Sequence, residues 1–331
     1  MKYIEAIKTG FRTINKNWQL VLIQIGMLFI SIISFFVIVG IPFGIAFLIF
    51  GIDLTEFTDI TDVFRILKSP SDTFSKYIVL ILILIISLIL YILFAIMLGL
   101  YVLGGSIGVI GKTLKENLNH FSFKDFTYEA KSLFLKLLGF TSVVVLIFIL
   151  TAFFLSIVGG SIAAIISYAK EQDSTLALFF GTFFSLILII LSMVMVIFIL
   201  AITIYGFASL YFKKTGAFKS IKEAVSFLLK YPNGFWLYAV LFLGYFIILF
   251  LLGFLSYPFT LIPIIGTIIS FPYQFLYYAL QTYLSLVVIA IILSYYYSKE
   301  FQEQTIEVAP ETPEFISDST ENNEEIKPDT I

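Results

Sequence analysis

The sequence predicts an all-α integral membrane protein with six transmembrane helices. They form three parallel-repeat hairpins, each preceded by a short amphipathic helix at the cytoplasmic interface. Three observations predict this: an extreme apolar composition, long stretches free of charge, and one acid–base pattern that occurs three times. Of 331 residues, 60% are apolar, 18% are aromatic and only 13% are charged, with a mean hydropathy of +1.04. A soluble domain is about 45–50% apolar and about 25% charged. A water-soluble fold of this length cannot hide so much apolar surface, so a soluble enzyme is excluded.

Stretches without Asp, Glu, Lys or Arg cover 17–52, 77–111, 137–169, 174–212 and 231–298. One span needs about 20 apolar residues. The first four stretches hold one span each. The last is interrupted by Pro258, Pro263 and Pro272 and holds two. The expected cores are 19–39, 78–102, 138–158, 180–205, 236–256 and 274–296. The stretches near 35 residues exceed what a bilayer requires. Tilt, helix beyond the lipid and apolar loop are all open for the excess.

Charge sets the expected orientation. Sixteen of the twenty Lys and Arg fall in the N-terminus, the loops after spans 2 and 4, and the tail; four fall in the alternate loops. Cytoplasmic segments are the ones rich in Lys and Arg, so both termini are expected in the cytoplasm and the protein in the cell membrane. The apolar run behind the first 16 residues exceeds a signal-peptide core, and span 1 reads as a retained anchor.

Before each odd-numbered span stands the same arrangement. Glu5-Ala6 precedes Arg12, Glu129-Ala130 precedes Lys136, and Glu223-Ala224 precedes Lys230, each acid seven residues before its base. Seven residues are two helical turns, so acid and base share a face. Apolar residues, such as Ile4, Ile7 and Phe11 in the first copy, fill the other. Trp18 and Trp236 each stand 13 residues after their glutamates; Ser142 takes that place in the second copy. Each unit therefore begins and ends on one side, so copies are parallel, related by an axis along the membrane normal. The units cover about 1–117, 122–215 and 217–298. Arg12, Lys16, Lys131, Lys136, Lys222 and Lys230 are the candidate contacts for anionic lipid headgroups on the cytoplasmic side. The amphipathic stretches are read as separate interfacial helices, with cytoplasmic extension of the spans as the alternative. Pro232-Asn233-Gly234 argues for a break in the third.

The first outside loop, 53–76, is acidic and lacks EF-hand spacing; it reads as a solvated face rather than a calcium site. The third, Ser256 to Pro272, is uncharged and proline-rich. It either caps the interface or dips in as a re-entrant element packed on other helices. Residues 299–331 are acidic and proline-containing, and are expected to be a disordered cytoplasmic tail that is either merely solvated or recruits a protein partner.

The sequence offers little chemistry. It has no cysteine and one histidine, His120, so disulfides, thiolate chemistry and a multi-histidine metal site are excluded. His120 lies in a loop without an evident partner. No ionisable Asp, Glu, Lys or Arg lies in a span core, which weighs against proton coupling. There is no P-loop, dinucleotide fingerprint or H-E-x-x-H motif. No catalytic, metal or cofactor-binding residue is assigned, and a net charge of −2 gives no sign of a nucleic-acid partner. Small-residue motifs at Gly40/Gly44, Gly104–Gly111 and Gly159-Gly160 read as helix-packing points, with hinges or a permeation path as alternatives. Gln274, Tyr277, Tyr278 and Gln281 share one face of span 6 and are the most polar intramembrane patch. Interhelical hydrogen bonding is the favoured role and a ligand pocket the alternative.

The stretches Phe123 to Phe140 and Ala217 to Trp236 resemble a widespread prokaryotic membrane family. It is related to the membrane domain of certain glycerophosphodiester phosphodiesterases. A similar layout covers most of residues 1–298. The resemblance implies a polytopic helical domain without phosphodiesterase chemistry, since the catalytic barrel is absent from this chain, and it carries over no site residue. The expected function is therefore non-enzymatic: a scaffold, lipid-organising element or auxiliary subunit. A transporter or channel for a small or lipidic solute is the alternative.

Overall fold

The computed structural model describes residues 3–49, 70–116, 121–260 and 265–302. Every regular element among them is helical. In chain order these are α1 (Tyr3–Lys16), α2 (Gln19–Phe35), a π-turn (Phe36–Gly40), α3 (Ile41–Ile49), α4 (Pro70–Glu116) and α5 (Phe123–Gln172). Then come α6 (Ser174–Phe212), α7 (Ala217–Lys230), α8 (Pro232–Thr260), α9 (Ile265–Tyr297) and a closing π-turn (Ser298–Gln302).

Six segments are long and apolar enough to cross a membrane: Gln19–Ala46, Ile81–Glu116, Phe123–Gln172, Ser174–Phe212, Pro232–Leu255 and Pro272–Gln302. Their number and order match the six expected span cores. The chain is a multi-pass helical membrane protein. Its exposed residues are largely Leu, Ile, Val and Phe, a surface suited to lipid and not to water.

Each boundary has a local cause. α1 buries Ala6, Gly10, Thr13 and Ile14, one stripe of a helix whose other faces carry charge. It stops at Asn17, whose side-chain amide donates to the Thr13 carbonyl at 2.9 Å and to Thr113 Oγ1 at 3.2 Å, pinning the turn to α4. Pro42 has no N–H to give the carbonyl of Ile38. The π-turn lies just before it, closed by Ile41 N–H on the Phe36 carbonyl. Ser122 caps α5 by accepting from Asp125 N–H. Asp173 caps α6 by accepting from Thr175 N–H at 2.7 Å, and it is the single residue between α5 and α6. Pro232 opens α8, where its missing N–H costs nothing.

Three expectations change. The second amphipathic stretch is not a separate helix. α5 runs unbroken for 50 residues, because no proline or Asn-Gly pair interrupts 123–140 as Pro232-Asn233-Gly234 interrupts the third copy. At 1.5 Å per residue α5 is about 75 Å long, more than twice the hydrocarbon thickness of about 30 Å. The Ser256–Pro272 segment is largely helix: α8 runs through Pro258 and α9 through Pro272, and only 261–264 lies outside the described residues. Finally, helix continues to Gln302, so Lys299 and Glu300 belong to the bundle and not to the tail. The rest of the expected tail, the core of the acidic loop at 50–69, and His120 lie outside the described residues.

α9 is the central helix. Of its most apolar stretch 39% is buried, against 17% or less in the other five spans. It packs on α1, α8, α4 and α6. The core gathers at the charged end of the bundle, around Ile107, Leu137, Phe140, Tyr205, Leu286 and Tyr296. The glycine motif of α4 permits that packing: a Cβ on Gly105 would overlap the Phe126 ring, one on Gly108 the Glu129 side chain, and one on Gly111 the Tyr211 ring. The other two motifs differ. Gly44 and Gly160 have nothing within 4 Å of an added Cβ.

Candidate functional site: the basic end of the bundle

The ends of α4, α6 and α9 meet the beginnings of α1, α5, α7 and α8 at one end of the molecule. Long-range polar contacts tie them. Tyr3 Oη donates to the Asn233 carbonyl at 3.2 Å, Tyr283 Oη to Asn15 Oδ1 at 2.7 Å, and the buried Tyr205 Oη to the Gly234 carbonyl at 2.9 Å. Trp18 and Trp236 open their spans exposed, at 54% and 65%, as interfacial tryptophans do.

Two ion-pair groups organise the charge. Lys112 Nζ donates to Asp125 Oδ1 at 3.0 Å across the α4–α5 junction. Lys213 Nζ bridges Glu223 at 2.8 Å and Glu300 at 2.9 Å, joining the end of α6 to α7 and to the closing π-turn. Partial burial works against the Lys213 charge, but its hydrogen bonds to Glu223 and Glu300 outweigh that and hold its pKa above the ordinary lysine value. The hydrogen bond from Lys213 holds the Glu223 carboxyl below its ordinary value.

The next residue is conformationally unusual. Lys214 has φ +51°, the one non-glycine residue with positive φ among the described residues. After a helix this left-handed position normally takes glycine. A side chain there costs about 1–2 kcal/mol. The turn beyond it is fixed by hydrogen bonds between the Thr215 and Ser220 hydroxyls, 2.7 Å, and between the Thr215 and Ser209 hydroxyls, 3.5 Å, all three residues buried. The backbone is thus held in place, and Lys214 is turned into a cleft.

Among the described residues, three clefts open at this end. The largest of them, about 530 Å³, lies between α4, α5, α6 and the last turns of α9; Lys112, Lys115, Lys136 and Lys214 line it, with Glu116 and Glu129. A second, about 230 Å³, is lined by Arg12, Lys16, Thr113 and Ser294. A third, about 470 Å³, is lined by Lys230, Tyr231, Tyr3 and Lys299. Tyr231 is flanked by Lys230 Nζ at 5.0 Å and Lys299 Nζ at 5.8 Å from its ring centroid, within cation–π range. A fourth cavity, about 830 Å³ and mostly apolar, lies between α5 and α6 near Ile166 and Gly181.

The structure sorts the residues singled out in the sequence. Arg12 and Lys16 share one cleft, Lys136 is in the largest basic one and Lys230 in the third. Lys131 and Lys222 are exposed and line none of these. The polar patch is not drawn together. Gln274 is exposed, while Tyr277, Tyr278 and Gln281 are half-buried. Neighbouring Tyr273 donates to the Leu252 carbonyl of α8, an interhelical bond. None of the four patch residues lines a cavity described above.

Sequence reasoning passed over Lys112, Lys115 and Lys214, which line the main cleft, and Lys213, which braces it. One signal was available. Lys213-Lys214-Thr215-Gly216 follows a long apolar run, a helix-stop pattern with the lysines at the turn itself.

The chain matches no protein-family model, no curated protein and no solved structure.

Proposed function

We propose that this protein is a non-enzymatic, lipid-organising membrane scaffold that gathers anionic lipid headgroups at its basic end. The observation that carries this reading is the arrangement of basic residues around three clefts at one end of an otherwise lipid-facing bundle. An ammonium in such a cleft, at the end of the bundle where Trp18 and Trp236 open their spans exposed, suits the depth of lipid phosphates. The distribution of Lys and Arg supports a cytoplasmic location for this end. The acidic tail is then a cytoplasmic segment available to a protein partner.

Packing supports three parallel units. Ala6, Ala130 and Ala224, equivalent in the pattern, are each fully buried. The closing span of each unit packs on the opening segment of the next: α4 on α5, α6 on α7, and α9 back on α1. That cyclic order is what an axis along the membrane normal requires. The resemblance of Phe123–Phe140 and Ala217–Trp236 to the phosphodiesterase-associated membrane family fits a polytopic helical domain and adds no chemistry.

The test is lipid retention. Native mass spectrometry of protein exchanged into mixed phosphatidylglycerol–phosphatidylcholine micelles should show preferential retention of phosphatidylglycerol. Lys136→Glu with Lys230→Glu should abolish the preference. Equal retention by the two proteins would refute the lipid-facing reading.

A further inference from the structure

The main basic cleft has the properties of a specific site and not only of a charged surface. Four of its lining side chains are lysines, two from the end of α4, one from α5 and one from the turn after α6, and two are carboxylates, Glu116 and Glu129. Lys112 is committed to Asp125. Among the described residues Lys115, Lys136 and Lys214 make no ion pair. Three tyrosines, Tyr128, Tyr211 and Tyr297, add hydroxyl groups to the wall. At about 530 Å³ the space exceeds a bare anion and falls within the range of small-ligand sites.

Backbone conformation points the same way. A glycine at 214 would relieve the left-handed geometry, yet a lysine stands there, fixed by the Ser209–Thr215–Ser220 bonds. Strain held in place by surrounding structure is a mark of a functional position. Strain at Lys214 and three ammonium groups without an ion pair among the described residues meet at one cavity.

We infer that this cleft is a binding site for a phosphate group, recognised by Lys115, Lys136 and Lys214 and oriented by the tyrosine hydroxyls. This rests on the lipid-organising reading and names its site. A phosphate group offers more oxygen acceptors than a carboxylate to the ammonium and hydroxyl groups of this wall. Two sources present the same chemistry: the headgroup of an anionic lipid, and a soluble phosphate compound.

The decisive variant is Lys214→Gly. It removes one ligand-facing charge and at the same time relieves the backbone, so weaker binding cannot come from a weaker fold. Dihexanoyl phosphatidylglycerol and inorganic phosphate are each titrated into the full chain in neutral detergent, with thermal unfolding recorded in parallel. Lys214→Gly should weaken binding about tenfold with an unfolding temperature at or above that of the parent chain. Lys136→Gln should weaken it similarly, and Lys170→Gln, at the far end, should not. Binding of the lipid alone assigns the site to a headgroup; binding of both probes assigns it to phosphate itself; either result supports the proposal. Equal affinity in the parent chain and in Lys214→Gly for every probe that binds, or no binding of either probe to the parent chain, overturns it. If Lys136→Glu with Lys230→Glu still abolishes phosphatidylglycerol preference, the lipid-organising reading survives that loss. If the preference is absent from the parent chain, that reading falls separately.

Discussion

Replacing Lys213 with methionine keeps the length of the side chain and removes the cation between two carboxylates. In the native protein its Nζ lies 2.8 Å from Glu223 and 2.9 Å from Glu300. The side chains of Lys213, Glu223 and Glu300 are 27%, 30% and 11% exposed, so the group is neither a surface pair nor a sealed one. An exposed ion pair contributes about 0–1 kcal/mol, and breaking a buried one costs about 3–5 kcal/mol. Discounted for its exposure, the loss should be about 2 kcal/mol. The pH dependence is more diagnostic than the size. The Glu223 pKa is lowered in the fold, so its contribution is present above the ordinary carboxylate range and is lost on acidification. The Lys213 pKa is raised, so its contribution is present below the ordinary lysine value and is lost as the pH rises through the higher folded one. Native stability should therefore hold level between about pH 5 and pH 10 with respect to this group. In Lys213→Met the Glu223 carboxyl loses the hydrogen bond that chiefly lowers its pKa, so the loss of stability on acidification should be shallower than in the native protein. Thermal unfolding in detergent from pH 4 to 8 measures both slopes. Parallel curves would mean that the three charges are not coupled, and the reasoning would fail.

Gly105→Leu should destabilise the bundle by about 1–3 kcal/mol, because its side chain must displace the Phe126 ring. Gly160→Ala should raise stability by up to about 1 kcal/mol, having open space around it; equal effects of the two in a denaturation series would contradict the α4–α5 contact. Tyr205→Phe should cost about 1 kcal/mol through loss of its bond to the Gly234 carbonyl. Hydrogen exchange should then rise at the start of α8 and not in α5.

The six spans were legible because a bilayer imposes a length and a composition that no packing detail overrides. The charged end was legible as a list of lysines, since Lys and Arg distribution is a property of sequence alone. How the list is used was not. Whether Lys136 sits in a cleft and Lys131 does not depends on the rotation of α5, which Phe126, Leu133 and Leu137 set by packing against Gly104 and Gly105. The continuity of α5 was hidden because an amphipathic stretch reads the same whether it lies flat or extends a span. Pro258 and Pro272 misled for a related reason. They mark loops in water, but within a bundle, neighbouring helices satisfy the groups that proline frees.

A helix of 50 residues without a break has a mechanical consequence. A membrane that thins or thickens changes the tilt of a stiff rod rather than its length. With about 37 Å between the midpoint and either tip, a change of about 10° swings each tip by about 6 Å. Tyr128, Glu129 and Lys136 ride on the protruding part of that rod, against a wall formed by other helices. Any such tilt carries α4 along with α5 there, since Gly105 and Gly108 hold the two helices in contact at Phe126 and Glu129.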